Sequence, residues 1–269
     1  MQQKIIGFGV TRSIYGAGLC LIAALSLPYL TASPTIAAEL AEIERRGTLI
    51  VGVKDNLRPL AFTDATGNLE GLEIDIAKRL AAEILGSPDA IKLQPVTNQE
   101  RLNAVIEGKV DLAIARVTFT ESRDRLVDFS RYYYLDGTGL VTKDPAIQTL
   151  SDLQNRKIAV IRASSTIATI KYSLPKAQLI GVDSYQEAWQ LLETGAANAF
   201  AADNSVLTGW VQGSPQYHLL PERLSGEPLA IVMPTGLQYA SLRRKVNEAI
   251  ANWQESGWLQ ERISYWGLP

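Results

Sequence analysis

The chain has 269 residues, 46% of them hydrophobic and 20% charged, with a formal net charge of −2. A single cysteine allows no internal disulfide, and a single histidine allows no His-based triad or multi-His metal site. The slight acidic excess argues against nucleic acid as a partner.

Lys4 and Arg12 are the only charges before Glu39; an apolar run covers 14–30 and small residues follow to 38. A charged start, an apolar middle and a small-residue end predict a secretory signal peptide over residues 1–38, cleaved near Ala37 or Ala38. Gly16, Gly18 and Pro28 break the run, which falls short of the ~20 apolar residues of a membrane span. Bulky Leu19 stands before Cys20, where lipid attachment expects a small residue. Losing this leader takes Lys plus Arg from 26 to 24 against 28 Asp plus Glu, and the net charge from −2 to −4. The only cysteine goes with it.

The remaining about 230 residues suffice for one large domain or two small ones. Leu49-Ile50-Val51-Gly52-Val53 is a short apolar run, read as a strand buried on both faces, and it ends at Lys54. Residues 63–67 are a turn rich in Thr, Asp and Gly. Residues 71–85 place Leu72, Ile76, Leu80 and Ile84 at helical spacing. A second helix over 99–107 leads into strand 111–115, which ends at Arg116. Thr120 can cap a short helix there, with Arg123 in its first turn. That guanidinium can grip a carboxylate as a fork or lie solvated on the surface; the spacing leaves both open.

Strand 157–161 ends at Arg162, followed by Ser164-Ser165-Thr166 and a helix over 167–172. Hydroxyls at a helix start can bind an anion or simply cap the helix. A helix over 184–193 leads into strand 198–202, which ends at Asp203. A carboxylate ending such an apolar strand needs a partner, either a ligand ammonium or a neighbouring Lys or Arg. Residues 242–266 read as one or two terminal helices, interrupted at Gly257. His218, between Pro215 and Pro221, reads as structural, in a polar loop. The unit around 99–116 echoes that around 186–203 at an offset of 87 residues, suggesting two lobes of similar construction.

Alternating strands and helices predict an α/β architecture with parallel sheets. Ligands of such sheets bind beyond the carboxyl ends of the strands. Lys54, Arg116 and Arg162 stand at those ends, and Asp203 stands opposite. Their joint placement points to an anionic or zwitterionic small molecule. There is no Gly-x-x-x-x-Gly-Lys phosphate loop and no Gly-x-Ser-x-Gly elbow.

From about 47 to 266 the chain resembles the family-3 periplasmic solute-binding proteins, the polar amino-acid-binding components of ABC transporters. The stretches that carry this are Gly71-Leu72-Glu73-Ile74-Asp75-Ile76-Ala77, Gly108-Lys109-Val110-Asp111-Leu112, and Thr120-Glu121-Ser122-Arg123 through Val127-Asp128-Phe129-Ser130. The resemblance implies that Arg123 holds a ligand α-carboxylate, that Asp203 holds the α-ammonium, and that Thr118, Ser165 and Thr166 are hydrogen-bonding positions. Val96-Thr97-Asn98-Gln99-Glu100-Arg101 is most similar to glutamate/aspartate binders, where Arg101 meets the side-chain carboxylate and a basic residue stands at Lys54. Arg116 stands where that subgroup has serine; it can favour a more anionic ligand or pair with Asp203.

The resemblance further implies a two-lobed type II clamp: lobe 1 from 39–138 plus 228–269, lobe 2 from 139–227, hinged near 136–140 and 225–229. It implies a periplasmic monomer that needs no cofactor or metal, binds an amino acid and docks on an inner-membrane permease. The alternative on the same fold is an enzyme resembling the cyclohexadienyl or arogenate dehydratases, which would need a general acid in the cleft.

Overall fold

The computed structural model of the protein describes residues 38–162 and 164–269. The expected leader up to residue 37, Cys20 included, lies outside the described residues. Among the described residues no helix is long and apolar enough to cross a membrane.

In chain order, α1 (Leu40–Arg46) leads into β1 (Leu49–Val53). β2 (Asn56–Leu57), β3 (Ala61–Thr63) and β4 (Leu69–Glu70) form a small antiparallel sheet. Next come α2 (Leu72–Leu85), β5 (Ile91–Pro95), α3 (Arg101–Ile106), β6 (Leu112–Ile114), α4 (Glu121–Asp124) and β7 (Asp128–Asp136). β8 (Thr138–Thr142), β9 (Lys157–Ile161), α5 (Thr166–Ser173), β10 (Gln178–Val182), α6 (Tyr185–Glu193), β11 (Ala199–Asp203), α7 (Asn204–Gly213) and β12 (His218–Leu219) follow. β13 (Glu227–Met233), α8 (Ala240–Glu255) and α9 (Trp258–Tyr265) close the chain.

Two five-stranded sheets organise these elements, in the orders β5-β1-β6-β13-β7 and β10-β9-β11-β8-β12. The apolar runs do what their composition dictates. β1, β6, β9 and β11 lie inside the sheets, and most of their side chains are shielded on both faces. α2 covers the first sheet with the stripe Leu72, Ile76, Ala77 and Leu80, all buried, as a 3.6-residue period requires. α8 adds Leu242, Val246, Ile250 and Trp253 to the same core. The second sheet has its own cores, around Leu140, Ile158, Val160 and Ile170 on one side and Val141, Phe200 and Leu207 on the other.

The sheets are not wholly parallel. β5-β1-β6 and β10-β9-β11 are parallel, but β13 and β7 in the first sheet and β8 and β12 in the second run antiparallel. The chain passes between the sheets through these strands, and an antiparallel strand can be reached without a crossover helix. It crosses once at Gly137 and returns just before β13. The crossings touch: Thr138 N–H donates to Ser225 Oγ at 2.9 Å and Leu224 N–H to Thr138 O at 2.8 Å. A Cβ on Gly137 would run into the Ser225 carbonyl, so only glycine allows this approach. His218 lies in β12 rather than in a loop, and its Nε2 sits 2.8 Å from Ile147 O.

Candidate functional site

The carboxyl ends of β1, β6 and β11 bring the expected charges to one region, held by an unanticipated buried network. Its centre is Glu73, at the start of α2 and fully shielded from solvent. One carboxylate oxygen accepts from Arg116 N–H at 2.6 Å and from the Tyr133 hydroxyl at 2.5 Å. The other has no hydrogen-bond partner among the described residues. Burial raises the Glu73 pKa above its ordinary value, and those hydrogen bonds and the nearby arginines only partly offset it.

Arg116 follows β6 in a left-handed conformation, φ 50°, uncommon for any residue but glycine. Its backbone is fixed from both sides. The N–H is taken by Glu73, and Arg101 Nη1 donates to the carbonyls of Ala115 at 2.7 Å and Arg116 at 2.5 Å. Such strained conformations persist where the surroundings over-determine them. Arg101 is nearly buried, and burial first, then Arg123 and Arg116, lower its pKa to about 10. Arg101 therefore works on backbone carbonyls here.

The Arg116 side chain spans the two sheets. Its Nη2 pairs with Asp203 at the end of β11, and its Nε lies 3.8 Å from Asp136 at the end of β7. Asp136 is fully buried and accepts from Gly137 N–H, from Ser205 N–H and from the Ser205 hydroxyl. Asp203 precedes α7 but makes no side-chain cap to it. Of the two partners the sequence left open for Asp203, the protein's own arginine takes the place.

The other expected residues divide. Thr120 caps α4, its hydroxyl accepting from Arg123 N–H at 3.3 Å. Arg123 Nη1 donates to Thr118 O at 2.8 Å, and Thr118 bridges to Leu229 on β13. Arg123 is thus braced against a strand that leads from one sheet to the other, half-buried, with further N–H groups able to fork onto a carboxylate. Lys54 is nearly buried and donates to Val96 O at 3.1 Å. Ser165 is exposed and Thr166 buried at the start of α5, which has no side-chain cap. Arg162 does not join the cluster: it is exposed, folds over Gly181 of β10 and pairs with Asp183 at 3.1 Å. An edge-strand glycine leaves room for that turn outward, which the strand-end position alone did not reveal. A cavity of about 460 Å³ lined by Tyr132, Tyr133, Arg223, Gln254 and Pro269, among others, contains none of the site residues expected from sequence.

Glu73, Tyr133 and Asp136 were not assigned roles from sequence. Glu73 offered a signal, a carboxylate on the apolar stripe of α2. Asp136 offered another, an aspartate before glycine at the end of a long aromatic strand.

Comparison with known proteins agrees with this architecture. The profile of the bacterial extracellular solute-binding proteins, family 3, matches residues 49–269. A glutamine-binding protein of Geobacillus stearothermophilus is 37% identical over 195 residues, covering 71% of this chain and 74% of that protein. The glutamate/glutamine/aspartate/asparagine-binding protein BztA of Rhodobacter capsulatus is 28% identical, covering 79% and 66%. Among solved structures, an ancestral cationic amino acid solute-binding protein superposes with a TM-score of 0.72 at 30% identity, covering 84% of this chain and 98% of that one. With its two-lobed α/β architecture and this match across both sheets, the chain belongs to the bacterial extracellular solute-binding proteins of family 3.

Proposed function

We propose that the protein is the periplasmic substrate-binding subunit of an ABC transporter for acidic amino acids, glutamate or aspartate, released from a cleaved leader and working as a monomer. Lobe 1 comprises 39–138 and 228–269, lobe 2 comprises 139–227, and the paired crossings near 136–140 and 225–229 act as the hinge. The relatives carry names with neutral, acidic and cationic ligands, so charge at the site decides between them. The carrying observation is that Arg116 already engages Asp203, so that Lys54, Arg101 and Arg123 outnumber the two fully buried carboxylates of the network, Glu73 and Asp136. In a closed, poorly screened site that excess repels a cationic side chain and favours a carboxylate.

Arg123 takes the α-carboxylate, with Thr118, Ser165 and Thr166 around it, and Lys54 and Arg101 supply the field at the side chain. Closure follows from ligand contacts to both lobes, and the closed form docks on the permease. No bond is made or broken. The transport names of the relatives support this, as does Glu73: the carboxyl with the raised pKa beside Arg116 is wholly buried, out of reach as a general acid. Competition calorimetry with glutamate, glutamine and arginine tests the proposal. Tightest binding of glutamate or aspartate is expected; tightest binding of arginine would overturn the charge argument.

A further inference from the structure

Asp203, the carboxylate that the resemblance pairs with a ligand amine, is already engaged by the protein. Arg116 is its sole ion-pair partner among the described residues. The pairing is imposed by construction: Glu73 and Arg101 hold the Arg116 backbone from its N–H and its C=O, in a left-handed conformation that sends the side chain across to the second sheet. Asp136 stands 3.8 Å from Arg116 Nε and has its own partners in Gly137 and Ser205. Asp136 and Glu73 are both fully buried, so they support the arginine and do not face a ligand.

An α-ammonium entering this site must displace a guanidinium held on both sides. The new ion pair replaces one of similar strength, so the exchange gains little. The carboxylates of the ligand meet no such competitor: Arg123 is braced on Thr118 O, and its remaining N–H groups point to no carboxylate among the described residues.

We propose that Arg116 is a specificity-determining residue that makes the site read carboxylates and disregard the amine, so that its ligands are dicarboxylates with or without an α-ammonium. This rests on the acidic-ligand reading above and sharpens it. The partner that a zwitterion would use is supplied by the chain itself, and the ligand class widens from acidic amino acids to their des-amino counterparts.

Glutamate and glutarate, which differ in the amine alone, provide the test. Their affinities are measured by calorimetry on the full mature chain, for the wild type and for Arg116→Ser and Arg116→Lys. In the wild type the two should agree within about threefold, well under one tenfold step of affinity. Arg116→Ser frees Asp203, and glutamate should then exceed glutarate by more than about tenfold, mainly through tighter glutamate binding. Arg116→Lys keeps a cation beside Asp203 and should keep the ratio narrow. A wild-type preference for glutamate above about a hundredfold that Arg116→Ser leaves unchanged would overturn the proposal alone. Failure of both ligands to bind folded wild type would overturn the acidic-ligand reading and this proposal with it, whereas binding of glutamate alone would overturn only this proposal.

Discussion

Arg116 and Asp203 form an ion pair that joins the end of β6 in one sheet to the end of β11 in the other. It is a tertiary contact between residues 87 positions apart in sequence, at the place where two lobes of similar construction face each other. Under the proposed function this pair occupies the carboxylate that a ligand amine would use. The anchoring residues on either side of that pair can be tested one at a time.

Arg123→Ala should abolish high-affinity binding while the fold persists. Removing a desolvated, charge-assisted fork leaves a ligand carboxylate unpaired, at a cost of about 2–5 kcal/mol. The residue is half-buried and its structural bond is to one carbonyl, Thr118 O, so the melting temperature should move little. Arg123→Lys should not restore affinity, because a point charge cannot make the fork. Calorimetry beside thermal unfolding reads both; near-normal affinity in folded Arg123→Ala would refute the assignment.

Stability should depend on pH through Glu73. Burial raises its pKa in the folded state above the ordinary 4.5. The folded state thus holds this proton more tightly than the unfolded chain does. Its contribution is fully present below the ordinary value and is lost as pH rises through the raised one. Glu73→Gln keeps a carbonyl to accept from Arg116 N–H and the Tyr133 hydroxyl and cannot titrate. Melting temperatures of wild type and variant, measured from pH 4 to pH 8, should diverge in favour of the variant as pH rises. Asp111 and Glu227, also raised by burial, are common to both proteins and cancel. A difference that stays flat would show that Glu73 does not titrate in that window.

Arg162→Ala should leave ligand affinity unchanged. The side chain is exposed and paired with Asp183, itself exposed, and such surface pairs contribute about 0–1 kcal/mol. Isothermal titration with the wild-type ligand checks this; a loss beyond about tenfold would mean that the arginine turns back toward the strand ends on binding.

How far the sequence was legible follows from which link each feature lives on. Apolar runs and helical stripes are local, and the strands at 49–53 and 157–161 and the helix at 72–85 emerge where period and composition put them. Strand ends are local too, so Lys54, Arg116 and Asp203 could be placed at one edge of the sheets. Side-chain direction is not local. Arg162 turns away because Gly181 on the neighbouring strand leaves space, and no pattern within 157–166 carries that information. The Glu73–Arg116–Arg101 network joins three segments through backbone groups, which have no sequence signature. Antiparallel β7 and β13 arise from the double crossing between sheets, a property of topology.

Arg101→Ala brings local charge and tertiary support into one measurement. The similarity to glutamate/aspartate binders implied a contact between Arg101 and a side-chain carboxylate, which would make the loss much larger for glutamate than for glutamine. In the structure Arg101 already serves the backbone, since Nη1 holds the carbonyls of Ala115 and Arg116 and so fixes the left-handed turn that aims Arg116 at Asp203. Removing it leaves two carbonyls short of a donor at about 1–3 kcal/mol for each group left buried and unpaired. The variant should melt several degrees lower, since about 1 kcal/mol moves the midpoint by about 2–4 °C in a chain of this size. Affinity should fall more for glutamate than for glutamine, because the variant also loses one cation of the field proposed to favour a side-chain carboxylate. Arg101→Lys, which offers one ammonium in place of the fork, should recover part of the stability. The paired measurement is melting temperature together with the glutamate-to-glutamine affinity ratio in wild type and both variants. An unchanged ratio would remove Arg101 from the field at the ligand's side chain, and an unchanged melting temperature would remove it from the support of the Arg116 turn.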